Sequence, residues 1–129
     1  MTYQDITNSH TVFELCRRQI VEIGLTNRSK EHEDDALSAL ADAYINEWFK
    51  QLKELQVWQA SCENDERIPA NVLKIMRRLL KAEIQMAEES GQTSLDDNDF
   101  SSAANYLAEV AEYKTILDSL FDNNTKASA

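Results

Sequence analysis

Apolar residues recur three and four positions apart along most of this chain, the mark of helices that bury one side. Over residues 11–23, Val12, Phe13, Cys16, Ile20 and Ile23 lie on one stripe. Thr11 and Glu14 stand at the capping-box spacing, in which hydroxyl and carboxylate each satisfy a free amide at a helix start. Asn8 or Ser9 offers the same helix an earlier start, and Gly24 suits the left-handed residue that ends many helices. A second, longer helix is expected over 29–59, with Ser29 as its cap. Glu31, Glu33, Asp34 and Asp35 then oppose the positive end of its dipole. Its stripe runs Leu37, Leu40, Ala41, Tyr44, Trp48, Leu52 and Leu55, opposite Asp35, Asp42, Asn46 and Lys53.

Residues 61–67 carry no apolar period and read as a connection. Pro69 opens a third helix, where its missing amide hydrogen costs nothing. That helix is expected to reach Ser90 and stop at Gly91, with 92–99 as a polar loop and Asp99 capping a fourth helix over 100–121. Phe100, Ala103, Ala104, Leu107, Val110, Ala111, Leu117 and Phe121 form the apolar side of the fourth. Residues 122–129 have nothing to bury and are expected as a disordered tail beyond a single domain, 1–121. The predicted class is all-α, a four-helix bundle-like domain with one long central helix.

The third helix separates charge from grease. At about 100° per residue, Lys74, Arg77, Arg78 and Lys81 fall within one arc. Opposite them, Val72, Leu73, Ile75, Met76, Leu79, Leu80, Ile84, Met86 and Ala87 spread over about 200°. So wide a face implies two neighbours: two helices of the bundle, or one helix and a second subunit. Glu83 sits near the centre of this apolar face, and Lys114 in the middle of the fourth helix's apolar side. An isolated charge in a core is costly. The two are therefore expected to pair, or each to project toward a groove or interface. The plainer alternative sends the Lys114 ammonium to water past its own stem, with Glu83 at a seam edge.

Composition narrows the chemistry. The chain has 129 residues, 43% hydrophobic and 28% charged, in the range of ordinary globular domains. Two glycines and one proline are too few for an all-β fold or a phosphate-cradling loop. The net charge of −10 is uneven: +1 over 1–30, −8 over 31–66, +2 over 67–90 and −5 over 91–129. That balance disfavours direct nucleic-acid binding, even through the basic arc, and favours solubility or a basic partner. No apolar run approaches the roughly 18 residues of a membrane span. Cys16 and Cys62 form no CxxC spacing, and Met1-Thr2-Tyr3-Gln4-Asp5 lacks a signal-peptide pattern, so two reduced thiols in the cytoplasm are expected.

Reaction centres are poorly supported. His10 with Glu14, and His32 with Asp35, could present ligands on a helix side, but a di-metal bundle needs repeated Glu-x-x-His pairs that are missing. Acidic neighbours of His32, and Val12 and Phe13 after His10, depart from histidine-phosphotransfer chemistry. Glu31/Asp34 and Glu109/Glu112 have the spacing of magnesium-binding all-α nucleotide pyrophosphohydrolases, yet no Glu-x-x-Asp lies on the next helix. Counting a calcium loop from Asp97 puts Ser102 and Ala108 where Gly and Glu belong. Cys16 reads as packing, and the acidic surroundings of Cys62 raise rather than lower a thiol pKa. No catalytic, metal or cofactor residue is assigned.

Recognition remains as the reading. The chain is expected to be a small cytoplasmic interaction protein, a regulator, adaptor or inhibitor, with homodimerisation compatible with its wide apolar face. Lys74, Arg77, Arg78 and Lys81, with Phe49 and Trp58 on the second helix, are the candidate partner-binding residues. An acidic mimic of nucleic acid, blocking a DNA- or RNA-binding enzyme, is the alternative; the magnesium pyrophosphohydrolase ranks below both.

Overall fold

Four helices follow one another in a computed structural model that describes the backbone of residues 1–29 and 36–128 and the side chains of residues 1–25 and 42–121. They are α1 (Ser9–Ser29), α2 (Ala36–Ser61), α3 (Ala70–Asp96) and α4 (Phe100–Ser128). The fold is the all-α bundle expected from the apolar periods. Cross-helix contacts fix an up-down-up-down order. The Cys16 thiol lies 3.3 Å from the Leu52 carbonyl and Gln19 meets Trp48, so α1 and α2 run antiparallel. Asn71 bonds Glu54 and Arg78 reaches Tyr44, reversing direction again between α2 and α3. Arg77 reaches the Leu120 carbonyl while Gly91 faces Tyr106, so α4 returns along α3. The α3–α4 contact is the most extensive, and α2 meets α3 only sparsely.

The core sits where all four stripes converge. Val12, Cys16, Leu52, Leu55, Met76, Leu79, Leu80, Ile116 and Leu120 are fully buried. Each large aliphatic among them contributes about 1.5–3 kcal/mol through lost water contact.

Helix limits differ from the sequence expectation in instructive ways. α1 begins at Ser9, the earlier of the starts the sequence offers being taken, after Asn8 adopts a left-handed φ of 49°. Thr11 therefore lies inside the helix with its amide on the Asn8 carbonyl, and Glu14 pairs with Arg17 at 2.9 Å rather than closing a capping box. Gly24 does not stop α1: glycine costs a helix roughly 1 kcal/mol but does not forbid it, and the chain stays helical to Ser29. Ser29 is thus the last residue of α1 and not the cap of α2. The acidic start proposed for α2, with His32, lies outside the described residues.

Gly91 is likewise interior. α3 continues to Asp96, and the stop is Asn98, left-handed at φ 59°. The Asp99 amide bonds the Ser94 carbonyl at 2.8 Å and the Asn98 amide bonds that of Leu95 at 3.0 Å, a Schellman closure built on asparagine. Gly91 serves packing instead: a Cβ there would stand 3.3 Å from Tyr106 Cβ. The loop expected over 92–99 shrinks to three residues. Asp99 caps α4 as expected, accepting from the Ser102 amide at 3.1 Å. Hydrogen bonds from Ser102 hold its carboxyl below the ordinary value. The α4 backbone is helical to Ser128, past the expected end at Phe121.

The α4 side that faces the core is rotated from the expected one. Ala103, Val110, Tyr113, Ile116 and Leu120 are buried, whereas Phe100, Ala104, Leu107 and Ala111 are exposed. α4 carries two apolar stripes, and the one with the larger aliphatic and aromatic groups in its C-terminal half meets α3. In α2, Trp48, Leu52 and Leu55 are buried as expected, but Tyr44 is 66% exposed.

The N-terminal residues form a strap over one end of the bundle. Thr2 makes an antiparallel bridge to Arg67, the Tyr3 amide bonds the Glu66 carbonyl at 3.3 Å, and the Ile68 amide bonds that of Met1 at 3.0 Å. A single 3-10 turn, Tyr3–Asp5, holds the strap, with the Asp5 carboxylate accepting from the Thr2 amide at 2.9 Å. Ile6 and Ile68 are buried beneath it, and Tyr3 stacks on Phe13 and tilts against Trp58 at centroid distances of 5.9 and 6.0 Å.

Candidate functional site

The sparse contact between α2 and α3 leaves a groove of about 620 Å³. Glu47, Gln51 and Glu54 line it from α2, and Asn71, Lys74, Ile75, Arg77, Arg78 and Lys81 from α3. Two stripes with the same four-then-three spacing, 47/51/54 and 74/78/81, face each other across antiparallel helices. One is acidic and amide, the other basic. The whole basic arc read from the sequence is therefore brought to this groove, but its members do different work.

Arg78 is a wall. Its guanidinium lies 4.3 Å from the Trp48 ring centroid and 5.2 Å from that of Tyr44. It donates to Gln51 Oε1 at 3.1 Å and to the Tyr44 hydroxyl at 2.6 Å. This explains why Tyr44 leaves the core: its ring covers a cation. Arg77 turns the other way, over the Phe121 ring at 4.2 Å, and donates to the Leu120 carbonyl at 2.9 Å. Its Nε is buried without a hydrogen-bond partner. Lys74 and Lys81 are exposed at the groove and carry its accessible charge. Asn71 holds Glu54, so one of the two groove carboxylates is engaged on the wall.

The aromatic candidates do not join this site. Phe49 is half-buried on the other flank of α2 from Gln51 and Glu54, with the Lys53 ammonium 5.3 Å above its ring. Trp58 packs against the core under Tyr3, at the strapped end of the bundle.

Glu83 and Lys114 do not pair. Glu83 is 4% exposed and accepts from Arg18 Nη2 and Gln19 Nε2, each at 2.9 Å. Gln19 in turn accepts from the Trp48 indole at 2.9 Å. The carboxylate is satisfied across α1–α3, which no reading of α3 and α4 alone could show. Tyr113 lies beside Arg18; burial pushes its hydroxyl above the ordinary pKa against the pull of that cation. Lys114 is instead 57% exposed, 3.4 Å from Glu88 Oε1, so its ammonium reaches water as the plainer alternative held.

Both thiols are free, and burial raises each pKa, that of Cys16 to about 11. His10 and Glu14 are exposed, with Glu14 engaged by Arg17. Glu112 is exposed and Glu109 half-buried on α4, while Glu31 and Asp34 lie outside the described residues. Among the described residues, no group of three or more His, Cys, Asp or Glu side chains converges to hold a metal ion. No helix among them is long and apolar enough to cross a membrane.

The groove residues missed in the sequence are Glu47, Gln51, Glu54 and Asn71. Their signal was present: a polar stripe on α2 with the same register as the basic stripe on α3. Compared with protein families, curated proteins and solved structures, the chain gives no significant match.

Proposed function

We propose that this chain is a small cytoplasmic protein-interaction module, a regulator, adaptor or inhibitor, whose α2–α3 groove receives an acidic segment of a partner protein. The observation that carries the reading is the charge of the groove. Four cations and two carboxylates line it, with Lys74 and Lys81 exposed, in a chain of net charge −10. Concentrating positive charge against the field of the whole molecule gives selectivity for a short acidic segment over an extended polyanion. The arginines are held in place by aromatic rings and hydrogen bonds, so the lysines meet the partner over a preformed wall.

The test is affinity capture from the native host with the wild-type chain and with Lys74→Glu/Lys81→Glu. Both lysines are exposed, so the double variant keeps the fold. A protein held by the wild type and lost by the variant supports the reading. Retention of the same partner overturns it, and if that partner is a nucleic-acid-binding enzyme the acidic-mimic alternative takes its place. Capture of nothing, with turnover of added nucleotides, would replace both by an enzymatic role.

A further inference from the structure

The α2–α3 groove holds its open charges at three fixed points. Lys74 and Lys81 are exposed on the α3 rim and Glu47 on the α2 rim. None of the three has an ion pair among the described residues. Their levels follow from the pairing of the two antiparallel helices. Asn71 bonds Glu54, and seven residues on along α3 and seven back along α2 stand Arg78 and Glu47. The Arg78 guanidinium accordingly lies over Trp48, the neighbour of Glu47. Glu47 is thus set across the groove from the middle of the interval between Lys74 and Lys81. Arg78 is engaged at that level by Gln51, Tyr44 and the Trp48 ring, so the exposed charge at the centre is the carboxylate. Along its length the groove reads plus, minus, plus.

We propose that the groove takes one helix of a partner protein. Two acids of that helix, seven residues apart, meet Lys74 and Lys81, and a lysine or arginine between them meets Glu47. This rests on the acidic-segment reading above and adds the shape and the charge order of the segment. The spacing selects a helix. Lys74 and Lys81 stand two turns apart, about 10.5 Å along α3, and acids at i and i+7 of a second helix repeat that distance on one side. On an extended strand, side chains of one face stand about 6.7 Å or about 13.4 Å apart, and neither matches. The residue at i+4 of a helix shares the side of the two acids and falls level with Glu47. An acid at i and a cation at i+4 also pair within their own helix, which biases the free segment toward its bound shape. A run of acids alone would set like charge against Glu47. Glu47 is therefore the residue that chooses among acidic segments.

NMR titration of the isotope-labelled full chain with three synthetic peptides tests this. The first carries Glu-Ala-Ala-Gln-Lys-Ala-Ala-Glu within a capped alanine–glutamine helix. The second has glutamate in place of the central lysine, and the third keeps the charge order but has proline in place of its glutamine. The first is expected to shift the amide signals of Glu47, Lys74 and Lys81 saturably and to bind about tenfold more tightly than either control. Glu47→Lys, a change at an exposed position, should reverse the order of the first two peptides. Either control binding as tightly as the first overturns the proposal and leaves the acidic-segment reading in place. An unchanged order in Glu47→Lys does the same. No shift with any peptide also overturns it, and the capture experiment with Lys74→Glu/Lys81→Glu then decides the acidic-segment reading alone. Peptide binding that survives Lys74→Glu/Lys81→Glu overturns both.

Discussion

The side chain of Gln19 joins two helices by using both ends of its amide. It donates to Glu83 Oε1 on α3 and accepts from the Trp48 indole on α2, each at 2.9 Å. A carboxylate that looked out of place in an apolar stripe is the acceptor that lets Gln19 be buried, 7% exposed. Arg18 supplies the counter-charge from the rim, at 53% side-chain exposure.

Glu83→Leu is expected to destabilise the bundle, although it restores the apolar stripe. Gln19 Nε2 would be left buried without an acceptor, while Arg18 rehydrates and so limits the loss. The expected cost is about 2–3 kcal/mol in urea unfolding, against about 1 kcal/mol for Glu83→Gln, which keeps an oxygen for Gln19. Equal or greater stability for Glu83→Leu would contradict the network.

Arg78 is expected to matter for stability as well as for charge. Arg78→Ala removes the guanidinium stacked on Trp48 and Tyr44 and should cost about 1 kcal/mol. Arg78→Lys keeps the charge but not the planar stack, and should recover less than half of the loss. Tryptophan fluorescence in a Trp58→Phe background, which leaves Trp48 as the one emitter, follows both changes through urea unfolding.

The thiols should separate by accessibility. Cys16 is 1% exposed with its pKa raised to about 11, whereas Cys62 is half-buried at the end of α2. Iodoacetamide at mildly alkaline pH should add one group to the native chain, on Cys62, and a second only on unfolding. Peptide mapping by mass spectrometry locates each. Early labelling of Cys16 would show that α1 opens from α2.

The two glycines should respond differently to alanine. Among the described residues nothing lies within 4 Å of a Cβ placed at Gly24, so Gly24→Ala should stabilise α1 by about 0.5–1 kcal/mol. At Gly91 the same Cβ meets Tyr106 Cβ, an atom fixed to its backbone, at 3.3 Å. The propensity gain is spent there on pushing α3 from α4, and Gly91→Ala should be the less stable of the two variants by about 1 kcal/mol. Thermal melting compares them.

Periodicity alone carried the class of fold, the order of the four helices, the Pro69 and Asp99 helix starts, and the grouping of Lys74, Arg77, Arg78 and Lys81, because each depends on residues within a turn or two of one another. What depended on distant partners had to wait for the packed bundle. α4 has two apolar stripes, and only the contact with α3 decides that Tyr113 and Ile116 turn inward while Phe100 and Leu107 face out. Gly24 and Gly91 looked like stops because local preference favours them there, but tertiary contacts outweigh a penalty of roughly 1 kcal/mol. Glu83 found Arg18 and Gln19 some 65 and 64 positions away, and Trp58 found the strap through Tyr3. Burial and charge satisfaction are properties of the assembled core; a helix in isolation specifies which sides are greasy, and its neighbours choose among them.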